Sequence, residues 1–389
     1  MEIKNLQKAA IRIKKAVERN ESVILYGDSD LDGISSVIIL KETIELLNKD
    51  IVKGVYFPDR ENEGYGLTKK GLKFLKKYAP ALLIVLDCGI RSFEEIKQAK
   101  KLGFKVIVID HHQVFGALPE AEIIVDPKMP EDKSGYEYLA TTGIVFKLAT
   151  RILGRKINPE TRKSFLELTA MATIADTMPR IKDNRIFIKE GLKSIEKSKR
   201  PGIKALFWIL EKKDETFKTF PLEQKIEKIN SVLNIPEIEN SLPLTFQLLT
   251  CADFSKAKKI VQKLYEKSLE KKREIKKVVD FLQKREDCFK DKPLIFEGRA
   301  NWRLILLGTA ASQLVELYKK PVFLFKRKKK ESPGSVRAPS GFDVVLAMRK
   351  CQRFLNTFGG HAGAAGFRAK TKDLPKLKNC LIEFFSKKK

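Results

Sequence analysis

Five short apolar runs separated by helix-period stretches occupy the first third of the chain, and they constrain its fold more than any other feature. They are ESVILY at 21–26, IVKGVYF at 51–57, ALLIVLD at 81–87, KVIVID at 105–110 and EIIVD at 122–126. Runs this rich in β-branched residues, with so little polar interruption, belong to strands covered on both faces. Strands of that kind alternating with helices form a parallel sheet, here a doubly wound α/β layer. ATTGIVFKLATRIL at 140–153 and ETRKSFLELTAMATIAD at 160–176 read as helices completing this first domain, residues 1–195.

Strand signals vanish between about 195 and 290, and no Pro or Gly occurs from Cys251 to Asp291. Residues 196–290 are therefore expected to be a helical connector; a helix through much of the Pro- and Gly-free stretch would reach roughly 50 Å at about 1.5 Å per residue. From 291 to 389 the segments LIFEG, GTAASQLVELY, PVFLFKRK, SVRAPSGFDVVLAMRK and GGHAGAAGFRAK predict a smaller mixed α/β domain. Two domains facing each other would make a cleft. KRKKKESPGS at 326–335 reads either as a solvated hairpin loop or as a phosphate contact.

With 77 Lys+Arg against 49 Asp+Glu the formal net charge is +28, more than solubility requires, which favours a polyanionic partner. The five cysteines, at 88, 251, 288, 351 and 380, contain no CxxC pair and are odd in number. Zinc ribbons are thereby disfavoured, and reduced thiols in a cytoplasm are expected. The N-terminus reads as a basic amphipathic helix, without the apolar core of a signal peptide, and no apolar run approaches transmembrane length. The expectation is a cytoplasmic protein without a membrane partner.

The chain has only three histidines. Two of them, His111 and His112, stand with Asp110 at the carboxyl end of a buried strand, where open α/β sheets bind ligands. Acids follow two other strands at the same edge. Asp28, Asp30 and Asp32 in GDSDLDG would share one side of an extended segment, and Asp87 follows ALLIVL. Like charges so gathered repel unless a cation neutralises them. Carboxylates and imidazoles without thiolates suit manganese or magnesium, and two imidazoles tilt the choice toward manganese. Helix capping and turn roles are the alternative for these aspartates. Asp176 in TIADTMP is a fourth candidate, with an ordinary turn residue as the competing reading.

Taken together, these segments resemble the DHH phosphoesterase superfamily in its RecJ-like branch. GDSDLDG at 27–33 is similar to the first motif, LDCG at 86–89 to the second, DHH at 110–112 to the signature and ATIADTMP at 172–179 to the fourth. PDRENEGYGL at 58–67, TTGIVFKLA at 141–149 and NRIFIKEGL at 184–192 resemble further segments of that branch. GSVRAPSGFD and GGHAGAAG resemble its C-terminal associated domain.

The resemblance implies that Asp87 bridges two divalent cations. Asp30, with Asp28, would hold one; Asp32, His111 and Asp176 would complete the other. It further implies that His112 faces the scissile phosphate, with Asp110 orienting the histidines. Arg337 and His361 would hold substrate phosphates where Gly359 and Gly360 allow close backbone approach, and Ser335, Arg60 and Arg185 stand in matching segments as further substrate contacts. Many relatives carry a histidine just before the first acidic motif, where this chain has Tyr26. Taken from the residues alone, Gly-Gly-His reads as a turn exposing backbone N–H groups.

The reaction so implied is exonucleolytic hydrolysis of single-stranded DNA or RNA, with no serine or cysteine nucleophile. The chain is expected to end with the associated domain, lacking the further nucleic-acid-binding module of bacterial RecJ enzymes. It therefore resembles the archaeal RecJ-like type, which implies a replication or repair protein partner. Two other readings compete. One is a phosphodiesterase for oligoribonucleotides, nucleoside bisphosphates or cyclic dinucleotides; the other is a non-catalytic replication scaffold.

Overall fold

Each of the five apolar runs forms a strand in the computed structural model, which describes residues 2–114 and 116–386. After α1 (Leu6–Glu18) come β1 (Val23–Gly27), α2 (Leu31–Glu45), β2 (Val52–Tyr56), α3 (Lys69–Leu75), β3 (Ala81–Leu86), α4 (Phe93–Lys101), β4 (Phe104–Ile109) and β5 (Ile123–Val125). All pairings are parallel, in the spatial order β2–β1–β3–β4–β5. Two-residue periodicity divides the side chains between two cores. Val23, Leu25, Leu82, Leu86, Ile107 and Ile109 face one, while Ile24, Tyr26, Leu83, Val85, Val106 and Val108 face the other. The doubly wound parallel sheet expected from the sequence is thus the fold of this region.

The first core also takes in α5 (Thr141–Leu153), α6 (Pro159–Ala175), α7 (Lys182–Ile195), α8 (Pro201–Lys213), α9 (Glu215–Thr219), α10 (Leu222–Leu233) and α11 (Leu244–Leu249). A two-residue ladder, β6 (Ile238–Glu239) with β7 (Leu242–Pro243), interrupts this helical stretch. The 30-residue α12 (Phe254–Gln283) follows. Ala257, Val261 and Leu264 on its first half belong to the first core, and Ile275, Val278 and Leu282 on its second half to another. Accordingly the chain divides into compact units Met1–Ser268 and Leu269–Lys389.

The second unit contains β8 (Ile295–Arg299), α13 (Leu304–Tyr318), β9 (Val322–Lys326), β10 (Glu331–Arg337), α14 (Val344–Lys350), β11 (Thr357–His361), β12 (Ala364–Lys370) and α15 (Leu374–Ser386). Its sheet runs β11–β12–β10–β9–β8, parallel only between β8 and β9, with a core on each face. This is the expected mixed α/β domain. The basic run forms the exposed β9–β10 loop, but Pro333 and Gly334 lie inside β10.

Two local expectations are corrected here. Gly-Gly-His is not a turn: it ends β11, because Gly360, at φ 139°, lets that strand approach the backbone of Ala364 and Ala365 more closely than a Cβ would permit. Reduced thiols throughout are also not what is found. Cys351 and Cys380 form a disulfide with Cα atoms 6.0 Å apart, one just after α14 and the other on α15. A separation of 29 residues conceals that proximity from spacing motifs. Among the described residues no helix is long and apolar enough to cross a membrane.

Candidate metal centre

The strand order reverses between β1 and β3, and the carboxyl ends of β1, β3 and β4 deliver the acidic motifs to that point. Asp28 leaves β1 buried, its Oδ1 accepting the Ser29 N–H at 2.7 Å. Asp30 caps α2, its Oδ1 accepting from the N–H groups of Asp32 and Gly33, both at 3.1 Å. Capping and a place in the acidic cluster thus coexist in one residue. A Cβ on Gly33 would lie 2.3 Å from the Asp28 carbonyl oxygen, so only glycine lets the first turn of α2 pack this close to β1.

Because α2 starts at Leu31, Asp32 is helical and does not share a side with Asp28 and Asp30 as an extended segment would require. It turns instead to the N-terminus of α5. There its carboxylate accepts the N–H groups of Thr141 (2.8 Å) and Thr142 (2.9 Å) and the Thr142 hydroxyl. Exposed amides at a helix start favour a negative charge. Asp28 and Asp30 face Arg60, whose Nε donates to Asp28 Oδ1 at 2.8 Å and whose Nη2 donates to Asp28 and, at 2.8 Å, to Asp30 Oδ2.

Asp87 lies between these two groups. It follows β3 at φ 61°, with Oδ1 accepting from Thr141 Oγ1 at 3.0 Å and its carbonyl accepting from the Tyr65 hydroxyl at 3.1 Å. Asp110 closes β4. Its carboxylate accepts the N–H groups of Ile90 (3.1 Å), His111 (2.8 Å) and His112 (3.2 Å), and its Oδ1 is 2.7 Å from His112 Nδ1. His111 Nε2 lies 3.5 Å from both Asp87 Oδ1 and Asp176 Oδ2 and 4.0 Å from Asp32 Oδ2. Asp176 caps the carboxyl end of α6.

Burial and mutual repulsion set the electrostatics. Burial first, then the charges of Asp32, Asp30, Asp28 and Asp176, hold the Asp87 carboxyl well above the carboxylate range. Burial likewise pushes Asp32 up to about 6, while burial and the charges of Asp32 and Asp30 push Asp176 up to about 8. Asp28 is raised by burial although Arg60 opposes this. For Asp30 burial acts in the same direction, but Arg60 and the helix-start amide of Gly33 outweigh it and lower the pKa. Burial opposes ionisation of Asp110 too, yet His112 carries it below its usual range, and Asp110 in turn raises His112 against the effect of burial.

The candidate donor atoms fall into three sets, each within 4.8 Å: Asp28, Asp30 and Asp87; Asp32, His111 and Asp176; and Asp87, His111 and His112. At 3.5 Å the His111 nitrogen and its carboxylates converge without the contact a good hydrogen bond would give. Its Nδ1 is buried and makes no hydrogen bond. Lone-pair donors of this composition fit oxygen- and imidazole-binding divalent cations.

Tyr26 stands apart from this cluster. Its hydroxyl donates to the Gly66 carbonyl (2.9 Å) and accepts from the Thr68 N–H (3.2 Å), fixing the loop before α3. Arg185 is exposed on the first turn of α7, and among the described residues no contact joins it to the acids. In the second unit, β pairing puts Arg337, Ala364 and His361 in one row and Ser335, Gly366 and Gly359 in the next. Directly opposed residues share a face, so four of the expected contact residues flank small residues on one face of that sheet. Arg337 passes beneath α13, where a Cβ on Gly308 would lie 3.0 Å from its Nη2, and burial lowers its pKa.

Neither the acidic motifs nor the histidine pair points to Thr141 or Thr142, although a Thr-Thr pair opening a helix is itself an anion-holding signal. Thr142→Val keeps the backbone bond to Asp32 but removes the hydroxyl's contacts with the Asp32 carboxylate, the Asp32 carbonyl and Ser36. It should weaken manganese binding by about 10–100-fold, as read by metal titration.

A doubly wound sheet with a carboxylate–imidazole cluster at its switch point, followed by a smaller mixed-sheet unit, defines a class of two-domain hydrolase folds. Residues 22–173 match the model of the DHH family N-terminal domain and residues 291–387 that of the DHHA1 domain. The chain belongs to the DHH superfamily and is RecJ-like. It is 31% identical over 392 residues to the single-stranded-DNA-specific exonuclease RecJ of Bacillus subtilis, covering 98% of this chain and 48% of that protein. Its identity to the RecJ of Thermus thermophilus is 29% over 370 residues, covering 94% and 52%. The chain thus spans about half the length of these curated relatives. A crystal structure of exonuclease RecJ bound to manganese shares the fold, with a TM-score of 0.79 at 24% identity over 99% of this chain and 95% of that one.

Proposed function

We propose that this chain is a metal-dependent exonuclease that hydrolyses phosphodiester bonds of single-stranded DNA or RNA with two divalent cations, manganese foremost and magnesium as the alternative. The observation that carries the reading is the position of Asp87, which belongs to two donor sets at once. In this reading Asp28, Asp30 and Asp87 hold one cation and Asp87, Asp32, His111 and Asp176 the other. The ions would supply charge stabilisation at phosphorus and a more acidic water.

The remaining chemistry falls to the chain's own groups. Thr141 and Thr142 hold Asp32 and Asp87 in place. Asp110 keeps His112 oriented and favours its charged form beside the phosphate. Arg337, Ser335, Gly359, Gly360 and His361 bind the strand on the second unit, and Arg60 and Arg185 on the first. Residues 1–195 act as the catalytic domain, 196–290 as the connector and 291–389 as the substrate-binding domain. A cytoplasmic location and a replication or repair protein partner belong to the same reading, as does affinity that falls steeply with salt. The single-strand specificity in the names of the relatives supports the substrate class.

Single-stranded DNA and RNA labelled at either end and digested in manganese test the proposal. Product ladders from one end, with rates rising with chain length, are expected. Rates saturating at two or three nucleotides would point to the small-substrate phosphodiesterase. A protein that retains no metal and cleaves nothing would be the scaffold.

A further inference from the structure

We infer that the second unit carries an additional nucleotide-binding pocket, outside the acidic cluster, where the last turns of α12 meet the loop between β8 and α13. A cavity of about 270 Å³ opens there, with Phe281, Trp302, Val278 and Leu306 among its walls. Trp302 is buried and meets the Phe281 ring edge-on at 6.0 Å. Lys277, Arg299, Asn301 and Arg303 are exposed and also line it.

The charge balance of this pocket selects an anion. Its one acid, Glu274, is bound to Arg303 at 3.1 Å. Arg299 lies 3.9 Å over the Phe281 ring, and Arg285 lies 5.5 Å from the same ring. Among the described residues neither guanidinium meets a carboxylate within 4.0 Å. Within the lining Lys277, Arg299 and Arg303 outnumber the single acid, so a phosphate would pair with Arg299, whose guanidinium meets no carboxylate among the described residues. Planar guanidinium and aromatic faces stack nucleobases, and the Asn301 amide offers both donor and acceptor to a base edge.

The pocket is centred on the opposite end of β8 from the Arg337 row, although the Arg337 guanidinium reaches α13 at Gly308, two residues beyond the pocket-lining Leu306. Arg337 is in register with Val322 and hence with Ile295 at the start of β8, whereas Arg299 ends that strand, about 13 Å away at 3.3 Å per residue. Assigning the nucleotide to a bound single strand rests on the proposed function; the base-and-phosphate chemistry of the pocket does not.

The chain has two tryptophans, Trp208 and Trp302, so Trp208→Phe leaves Trp302 as the only indole reporter. In EDTA, where cleavage is prevented, dodecathymidylate should quench Trp302 fluorescence saturably. Adding Arg299→Ala or Asn301→Ala should weaken that binding at least about fivefold. Thymidine monophosphate should bind more weakly than the oligomer; equal affinity would support the pocket with a free nucleotide as its ligand. Absence of quenching by both probes, or affinity unchanged by Arg299→Ala, overturns the inference. Loss of the nuclease reading would instead appear as absent cleavage in manganese with quenching intact.

Discussion

Asp87→Asn should lower the rate of single-strand cleavage in manganese by about 10³-fold or more, because several kcal/mol of charge stabilisation at phosphorus depends on the ions it would share. Asparagine is the informative replacement. Residue 87 sits at φ 61°, a conformation Asp and Asn tolerate far better than alanine, so backbone strain does not confound the result. The substitution also removes a buried carboxylate whose neighbours Asp32, Asp30, Asp28 and Asp176 repel its charge. Without metal the variant should therefore melt at or above the wild-type temperature near pH 8. A variant that folds and still turns over at more than a tenth of the wild-type rate would remove Asp87 from the reaction.

The second large effect concerns metal and pH together. Asp32 (about 6), Asp176 (about 8) and Asp87 (well above its usual range) all have folded-state pKa values raised above those of an unfolded chain. For a raised carboxyl the stabilising contribution is complete below about pH 4 and is lost as pH climbs through the folded value, here across roughly pH 4–8. Manganese held by these acids would reverse that loss, because it would bind the deprotonated forms. At saturating manganese the midpoint of thermal unfolding should rise by at least about 5 °C over EDTA-treated protein at pH 8. The gain should be markedly smaller at pH 5. A gain independent of pH, or greater at pH 5, would contradict a metal centre built from these acids.

Arg60 links the two experiments. Its guanidinium bridges Asp28 and Asp30, so the first acidic pair already has a cation beside it. Among the described residues no guanidinium or ammonium pairs with Asp32 or Asp176; the His111 imidazole lies 4.0 and 3.5 Å from them, and the charges of His112 and Lys128 do not offset what burial and the neighbouring acids do to Asp176. Burial drives the His111 pKa well below its ordinary value, so His111 offers a lone pair rather than a charge. The Asp32, His111 and Asp176 set is accordingly where a divalent ion has most repulsion to relieve.

The sequence by itself determined the parallel sheet and which acids stand at its carboxyl edge, because burial on both faces writes uninterrupted apolar runs and those runs end where Asp28, Asp87 and Asp110 begin. Tertiary structure alone decided which acids meet. The start of α2 at Leu31 turns Asp32 away from Asp28 and Asp30 toward Thr141 and Thr142, more than 100 residues distant in the chain. It also decided that Gly360 serves strand pairing rather than a turn, and that Cys351 finds Cys380. Local patterns record how a residue relates to its own strand or helix, whereas side-chain encounters depend on crossovers and helix starts that bring distant segments together, and these leave no periodic mark.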